Sequence, residues 1–167
     1  MPTTSVNGGI ELEYEAIGSP DDPTMLLVMG LAGQLIAWPD GFCAQLAERG
    51  FHVVRFDNRD CGLSTKLDGV EVALGAVMGA ALGGQPIPEV PYTLTDMAAD
   101  TVGLLDHLGV DRAHLVGASM GGMIAQHVAI EHPERLLSLV SVMSMSGEPE
   151  YGAPDPEAAQ LLFTPPP

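Results

Sequence analysis

The hydroxyl most clearly set up for chemistry in this chain is Ser119, held in Gly117-Ala118-Ser119-Met120-Gly121-Gly122 directly behind the apolar run Ala113-His114-Leu115-Val116. Gly-x-Ser-x-Gly between a strand and a helix describes a sharp turn that presents a serine Oγ as a nucleophile. The flanking glycines are needed because the helix closes against neighbouring strands and leaves no room for a Cβ. The serine itself must take a sparsely populated backbone conformation, at a cost of about 1–3 kcal/mol. Attack by such a hydroxyl on an acyl carbon creates an oxyanion that needs two converging donors. The candidates are the backbone N–H of Met120, which follows the nucleophile, and that of Leu31 in the glycine-bearing turn Met29-Gly30-Leu31-Ala32-Gly33. The competing reading is a plain tight turn or a phosphate cradle. Gly117, Gly121 and Gly122 do not spell G-x-G-x-x-G and no P-loop lysine follows, so phosphate binding lacks its usual support.

These residues need elements to position them. Ile10 to Ile17 (IELEYEAI) alternates apolar and acidic residues, the signature of a half-buried strand near a sheet edge. Four continuous apolar runs read as strands covered on both faces of a parallel sheet: 25–29, 52–57, 113–116 and 136–142. Helical patterns lie between them. Pro39 to Arg49 ends at Gly50, and Thr93 to Leu108 ends at Gly109, each glycine standing where a left-handed cap is wanted. Thr93-x-x-Asp96 resembles a capping box, followed by a stripe of Leu94, Ala98, Thr101, Leu105 and Leu108. A third helix runs from Met120 to Glu131 and stops before Pro133. Alternating strands and helices give an α/β class with right-handed crossovers. The long segment from Asp68 to Pro91 interrupts the rhythm and is expected to contribute a pocket wall.

Asp57-Asn58-Arg59-Asp60-Cys61-Gly62-Leu63-Ser64 completes a set of three motifs. In this the chain resembles the α/β-hydrolase superfamily, whose members carry a similar Asp-x-Arg-Gly-x-Gly-x-Ser segment after the fourth strand, an oxyanion turn after the third and Gly-x-Ser-x-Gly after the fifth. Within it the details look most like serine esterases of the group that includes aclacinomycin methylesterase and cofactor-free haloperoxidase-like enzymes. The resemblance implies a doubly wound, mostly parallel sheet, truncated after the sixth strand. It divides the chain into a partial core, 1–145, and a proline-rich tail, 146–167, that begins a cap region. Two departures stand out: Met29 sits where many relatives have histidine, and Asp60-Cys61 replaces the usual glycine start. Backbone donors depend on neither.

A serine needs a general base and an orienting carboxylate, which in this fold follow it in the order acid, then histidine. No histidine follows His132, and all five (His52, His107, His114, His127 and His132) suit surface or structural roles. The expected function is therefore a serine hydrolase of ester, thioester or lactone bonds acting through an acyl-enzyme on Ser119, inactive or weakly active as this chain alone. The alternative is a non-catalytic module that binds a small molecule or a protein.

Six basic residues against 22 acidic ones give a net charge of −16, a surface that repels phosphate backbones and anionic lipid. Cys43 and Cys61 form neither a disulfide framework nor a zinc site, so reduced thiols and a cytoplasmic location are expected, with no metal or cofactor. MPTTSVNGG lacks a signal-peptide pattern, and no apolar run is long enough for a membrane span. A small-molecule acyl substrate is the expected partner. A sheet ending at Leu136 to Val142 leaves a hydrophobic edge, which invites self-association or a complementary chain.

Overall fold

The computed structural model describes residues 3–73, 76, 77, 80, 85–147, 151, 155 and 157. Period-2 patterning puts Leu12 and Tyr14 of strand β2 (Ile10–Ile17) in the core while Glu11 faces solvent. Outside β2 lies a short strand, β1 (Thr3–Val6), paired with it antiparallel. β1 is not legible in the sequence, because TTSV is too short and too polar to carry a period. The apolar runs form β3 (Thr24–Val28), β4 (His52–Phe56), β5 (Ala113–Ala118) and β6 (Leu136–Val142).

The six strands make one sheet in the order β1-β2-β4-β3-β5-β6. β2 is antiparallel to β4, and β4, β3, β5 and β6 are mutually parallel. Leu26 in the middle of β3 lies opposite Val54 on one side and Leu115 on the other, so the central strands share one apolar layer. The chain steps from β3 outward to β4, then returns across β3 to start β5. Crevices at the carboxyl ends of strands on either side of such a reversal are where open α/β sheets place ligands.

Helices cover both faces. α1 (Asp40–Ala47) packs Cys43 onto one face with Trp38, Leu27 and Val53. α2 (Leu94–His107) and α3 (Met120–Glu131) cover the other, where Met97, Leu104, Leu105, Ile124 and Val128 meet Leu26, Val54 and Leu115. Val53 and Val54 thus serve opposite cores, as neighbours in a strand must. The α2 capping box is formed: the Thr93 hydroxyl accepts from the Asp96 N–H, and the Asp96 carboxylate accepts from the Thr93 N–H at 2.7 Å. Gly50 and Gly109 both have positive φ, at 84° and 68°.

Ala76, Val77 and Ala80 are helical, and none of the described residues in 68–91 lines the cavity at Ser119. The remainder of the expected pocket wall, residues 74, 75, 78, 79 and 81–84, lies outside the described residues, as does most of the expected tail 146–167.

Candidate active site

β5 ends at Ala118 and α3 begins at Met120, so Ser119 alone makes the turn between them. Its φ of 55° and ψ of −124° lie far from the conformations an L-residue prefers. A serine before a helix ordinarily caps it by accepting an N–H from the first turn. Here the side chain makes no such bond and the residue is exposed. The conformation is held from outside by the Ser119 N–H, which donates to Val142 O at 2.9 Å, and by Ser119 O, which accepts from Gly122 at 2.9 Å.

The need for glycine is steric. A Cβ on Gly117 would stand 2.2 Å from Gly121 O, and one on Gly121 would stand 2.1 Å from Val28 O. α3 is therefore drawn against β3 and β5 with only main chain between them. On the other side of the serine, a Cβ on Gly30 would fall 2.9 Å from Ser119 Cβ and 3.4 Å from Met120 N. The structure thus brings the elbow and the turn of residues 29–33 into direct contact at the carboxyl ends of β5 and β3. Met120 is the first residue of α3, so its N–H has no partner within the helix. Leu31 is 73% exposed at the tip of the facing turn.

The loop after β4 is braced from several directions. Asp57 accepts from the N–H groups of Leu35 and Leu63, and the Ser64 hydroxyl donates to Asp57 O. Gly62, at φ 50°, leaves the Asp57 carboxylate room that a Cβ would fill. Arg59 makes a buried two-bond ion pair with Asp100 of α2, at 2.6 and 2.7 Å, and the hydrogen-bonded Asp100 carboxylate raises the guanidinium pKa further. The Arg59 guanidinium also lies 5.2 Å from the Tyr92 ring centroid. Burial, and then the Asp60 carboxylate, push the Tyr92 phenol up to about 12. Asp60, at the family's glycine position, keeps a positive φ of 63°, which aspartate tolerates better than most residues.

Two cavities meet at these residues. One of about 490 Å3 is lined by Leu31, Ser119, Met120, Met123, Met143, Ser144, Met145 and Tyr151. A second of about 150 Å3 lies on the far side of Leu31 and Met120, against Asn58, Cys61, Tyr92 and Met97. The methionines after β6 were not singled out from sequence; Met143-x-Met145 directly after a strand end was the available signal.

None of the five histidines lines the larger cavity. His52 is buried beside the Thr24 hydroxyl, and burial lowers its pKa. His107 meets the Tyr14 hydroxyl, His114 the Ser138 hydroxyl, and His127 and His132 meet Glu131 and Glu134. Cys43 and Cys61 are free and buried, and burial raises both thiol pKa values. Among the described residues there is no group of three or more His, Cys, Asp or Glu side chains able to hold a metal ion.

Residues 23–164 match the family described as the alpha/beta hydrolase fold, and the chain belongs to that family. It is 35% identical over 160 residues to the rhodomycin D methylesterase DnrP of Streptomyces peucetius, covering 95% of this chain and 47% of the relative. It is 34% identical over 135 residues to the putative carbamate hydrolase RutD of Variovorax paradoxus (strain S110), covering 81% of this chain and 43% of that protein. Among solved structures, the enol-lactonase of Burkholderia xenovorans LB400 superposes with a TM-score of 0.65 at 29% identity, over 83% of this chain and 45% of that one. The chain spans about half the length of the curated relatives it matches.

Proposed function

We propose that this chain carries the nucleophile and the oxyanion donors of a serine hydrolase that acts on carboxylic ester, thioester or lactone bonds. Ser119 Oγ attacks the carbonyl carbon as its proton passes to a general base, the N–H groups of Leu31 and Met120 hold the developing oxyanion, and the leaving group departs with that proton to give an acyl-serine that water hydrolyses. The observation that carries this reading is Ser119 itself: exposed, not capping its helix, held at φ 55° and in contact with the glycine of a facing turn. A strained residue with its hydroxyl unused for structure is a reason to look for function. The relatives named as a methylesterase, a carbamate hydrolase and an enol-lactonase support an acyl substrate.

The larger cavity, about 490 Å3, falls within the roughly 300–1,000 Å3 of small-molecule sites. Met120, Met123, Met143 and Met145 line it, and flexible thioethers suit an apolar ligand of variable shape. A net charge of −16 argues against a nucleic-acid partner. Each of the five histidines lies away from that cavity, so none of them is assigned as the base in this arrangement, and turnover is expected to be weak.

Labelling by a fluorophosphonate tests the nucleophile. The chain is expected to gain one adduct that is lost in Ser119→Ala, and a folded chain that gains none would refute an activated serine. The second reading, a binding module, is favoured by the lack of any ionisable acid or histidine on the larger cavity wall among the described residues. Unlabelled protein that still binds small apolar esters would decide for it.

A further inference from the structure

We propose that Asn58 and Cys61 are positioning residues that hold the turn Met29–Gly33 at both its ends, so that the loop after β4 sets where the Leu31 N–H points. The catalytic consequence rests on the hydrolase reading; the clamp itself does not. Asn58 Nδ2 donates to Met29 O at 2.8 Å, where the chain leaves β3 for the turn. Cys61 Sγ donates to Gly33 O at 3.1 Å, where the turn closes. Just beyond, the Leu35 N–H donates to Asp57 Oδ1 at 2.6 Å. One short stretch of the loop thus fastens the turn before and after the residue whose amide is to meet the oxyanion.

Met29 packs against the core on the α1 face and Gly30 is buried against Ser119, which leaves residues 31–33 as the part that needs fastening. The turn's own backbone closure is a single bond, from the Gly33 N–H to Gly30 O at 3.1 Å. Ala32 sits at φ 56°, a conformation alanine keeps only when its surroundings impose it. Leu31 is 73% solvent-exposed. The loop, by contrast, is anchored by the Arg59–Asp100 pair and by the bonds around Asp57, so it can act as the rigid member.

Both side chains are chosen as donors. Asn58 is 4% exposed, and its Oδ1 has no hydrogen-bond partner. A buried acceptor left unpaired destabilises, so the amide is not explained by packing and is explained by what its Nδ2 reaches. At Cys61, burial and then the nearby Asp57 carboxylate raise the thiol pKa, which keeps the proton on sulfur and keeps it a donor. Neither residue touches the substrate in this scheme. Each acts through Leu31.

The test uses two readouts on the chain as it stands. Amide hydrogen exchange is measured in the parent, Asn58→Asp, Cys61→Ala and Cys61→Ser. Asn58→Asp and Cys61→Ala are each expected to speed exchange at Gly33, the turn amide that is hydrogen-bonded, by about tenfold or more while Gly122 and Met123 keep parental rates. Cys61→Ser, which retains a donor, is expected to restore protection. Unchanged exchange at Gly33, or an equal rise throughout the sheet, overturns the clamp. Fluorophosphonate labelling supplies the second readout: the maximal labelling rate is expected to fall about tenfold in the same two variants with the apparent affinity for the probe unchanged. A loss of affinity with an unchanged maximal rate would contradict a positioning role. If the parent is not labelled at Ser119, the hydrolase reading fails by itself, and the exchange pattern still decides whether the turn is clamped.

Discussion

At the scale of single residues, the account turns on how little space surrounds Ser119. Gly121 is the sharpest case, because its missing Cβ would meet a backbone oxygen 2.1 Å away, and backbone cannot rotate aside as a side chain can. Gly121→Ala is therefore expected to destabilise the fold by about 1–3 kcal/mol or more, the range for overpacked sites. Chemical denaturation reads this directly, and an unchanged midpoint would contradict the packing argument. Ser119→Ala is the opposite kind of change. It removes a hydroxyl with no capping role and is expected to leave stability within about 0.5 kcal/mol of the parent, as surface changes usually do.

Sequence made part of this site legible and hid the rest for identifiable reasons. Gly117, Ser119 and Gly121 announce the elbow because glycine is forced wherever two backbones touch, and the same logic marks Gly30 in the facing turn. Asn58 and Cys61 gave no such signal, since a hydrogen bond to a carbonyl far along the chain leaves no periodic trace. Asp60 even hid its conformation, standing at φ 63° where the family pattern has glycine.

At the scale of elements, α2 carries two devices whose strengths differ. Its capping box is exposed, and Thr93→Ala is expected to cost about 1 kcal/mol. The Thr93 side chain, and then its N–H, hold the Asp96 carboxyl below the ordinary aspartate pKa. A depressed acid stabilises the fold above its unfolded-state value, about 3.9, and loses that contribution as pH falls through the lower folded value. Thr93→Ala should thus narrow its stability gap from the parent below about pH 3.9. A gap independent of pH would contradict the cap. The Arg59–Asp100 pair is buried on both sides, so Asp100→Ala is expected to cost about 3–5 kcal/mol by stranding a charge. Replacing both partners with apolar residues should cost far less. Equal losses in the single and double variants would show that charge is not the cause.

The elements with long apolar runs or strong caps were readable in advance, and Met120–Glu131 has the bounds its pattern gives. β1 was not, because a four-residue polar strand at the end of a sheet is specified by its neighbour β2 and not by its own residues.

At the scale of the whole molecule, the sheet has two unlike edges. β1 closes one side with four residues, while β6 leaves the other side with seven and exposes Leu137, Val140 and Val142 at 43%, 49% and 38%. A long apolar edge is a template for further pairing. We propose that it drives association of this chain, opposed by the shared net charge of −16. Sedimentation is expected to show more association at 0.5 M salt than at low salt, as charge is screened, and less in Val140→Lys. A monomer under all these conditions would refute it. Among the described residues no helix is long and apolar enough to cross a membrane.

The most direct test of the central claim is the crystal structure of the chain after reaction with a fluorophosphonate. The account predicts phosphorus bonded to Ser119 Oγ, with the phosphonyl oxygen about 2.7–3.1 Å from the backbone nitrogens of both Leu31 and Met120. An adduct elsewhere, no adduct on a folded chain, or a phosphonyl oxygen turned away from those two amides would contradict it.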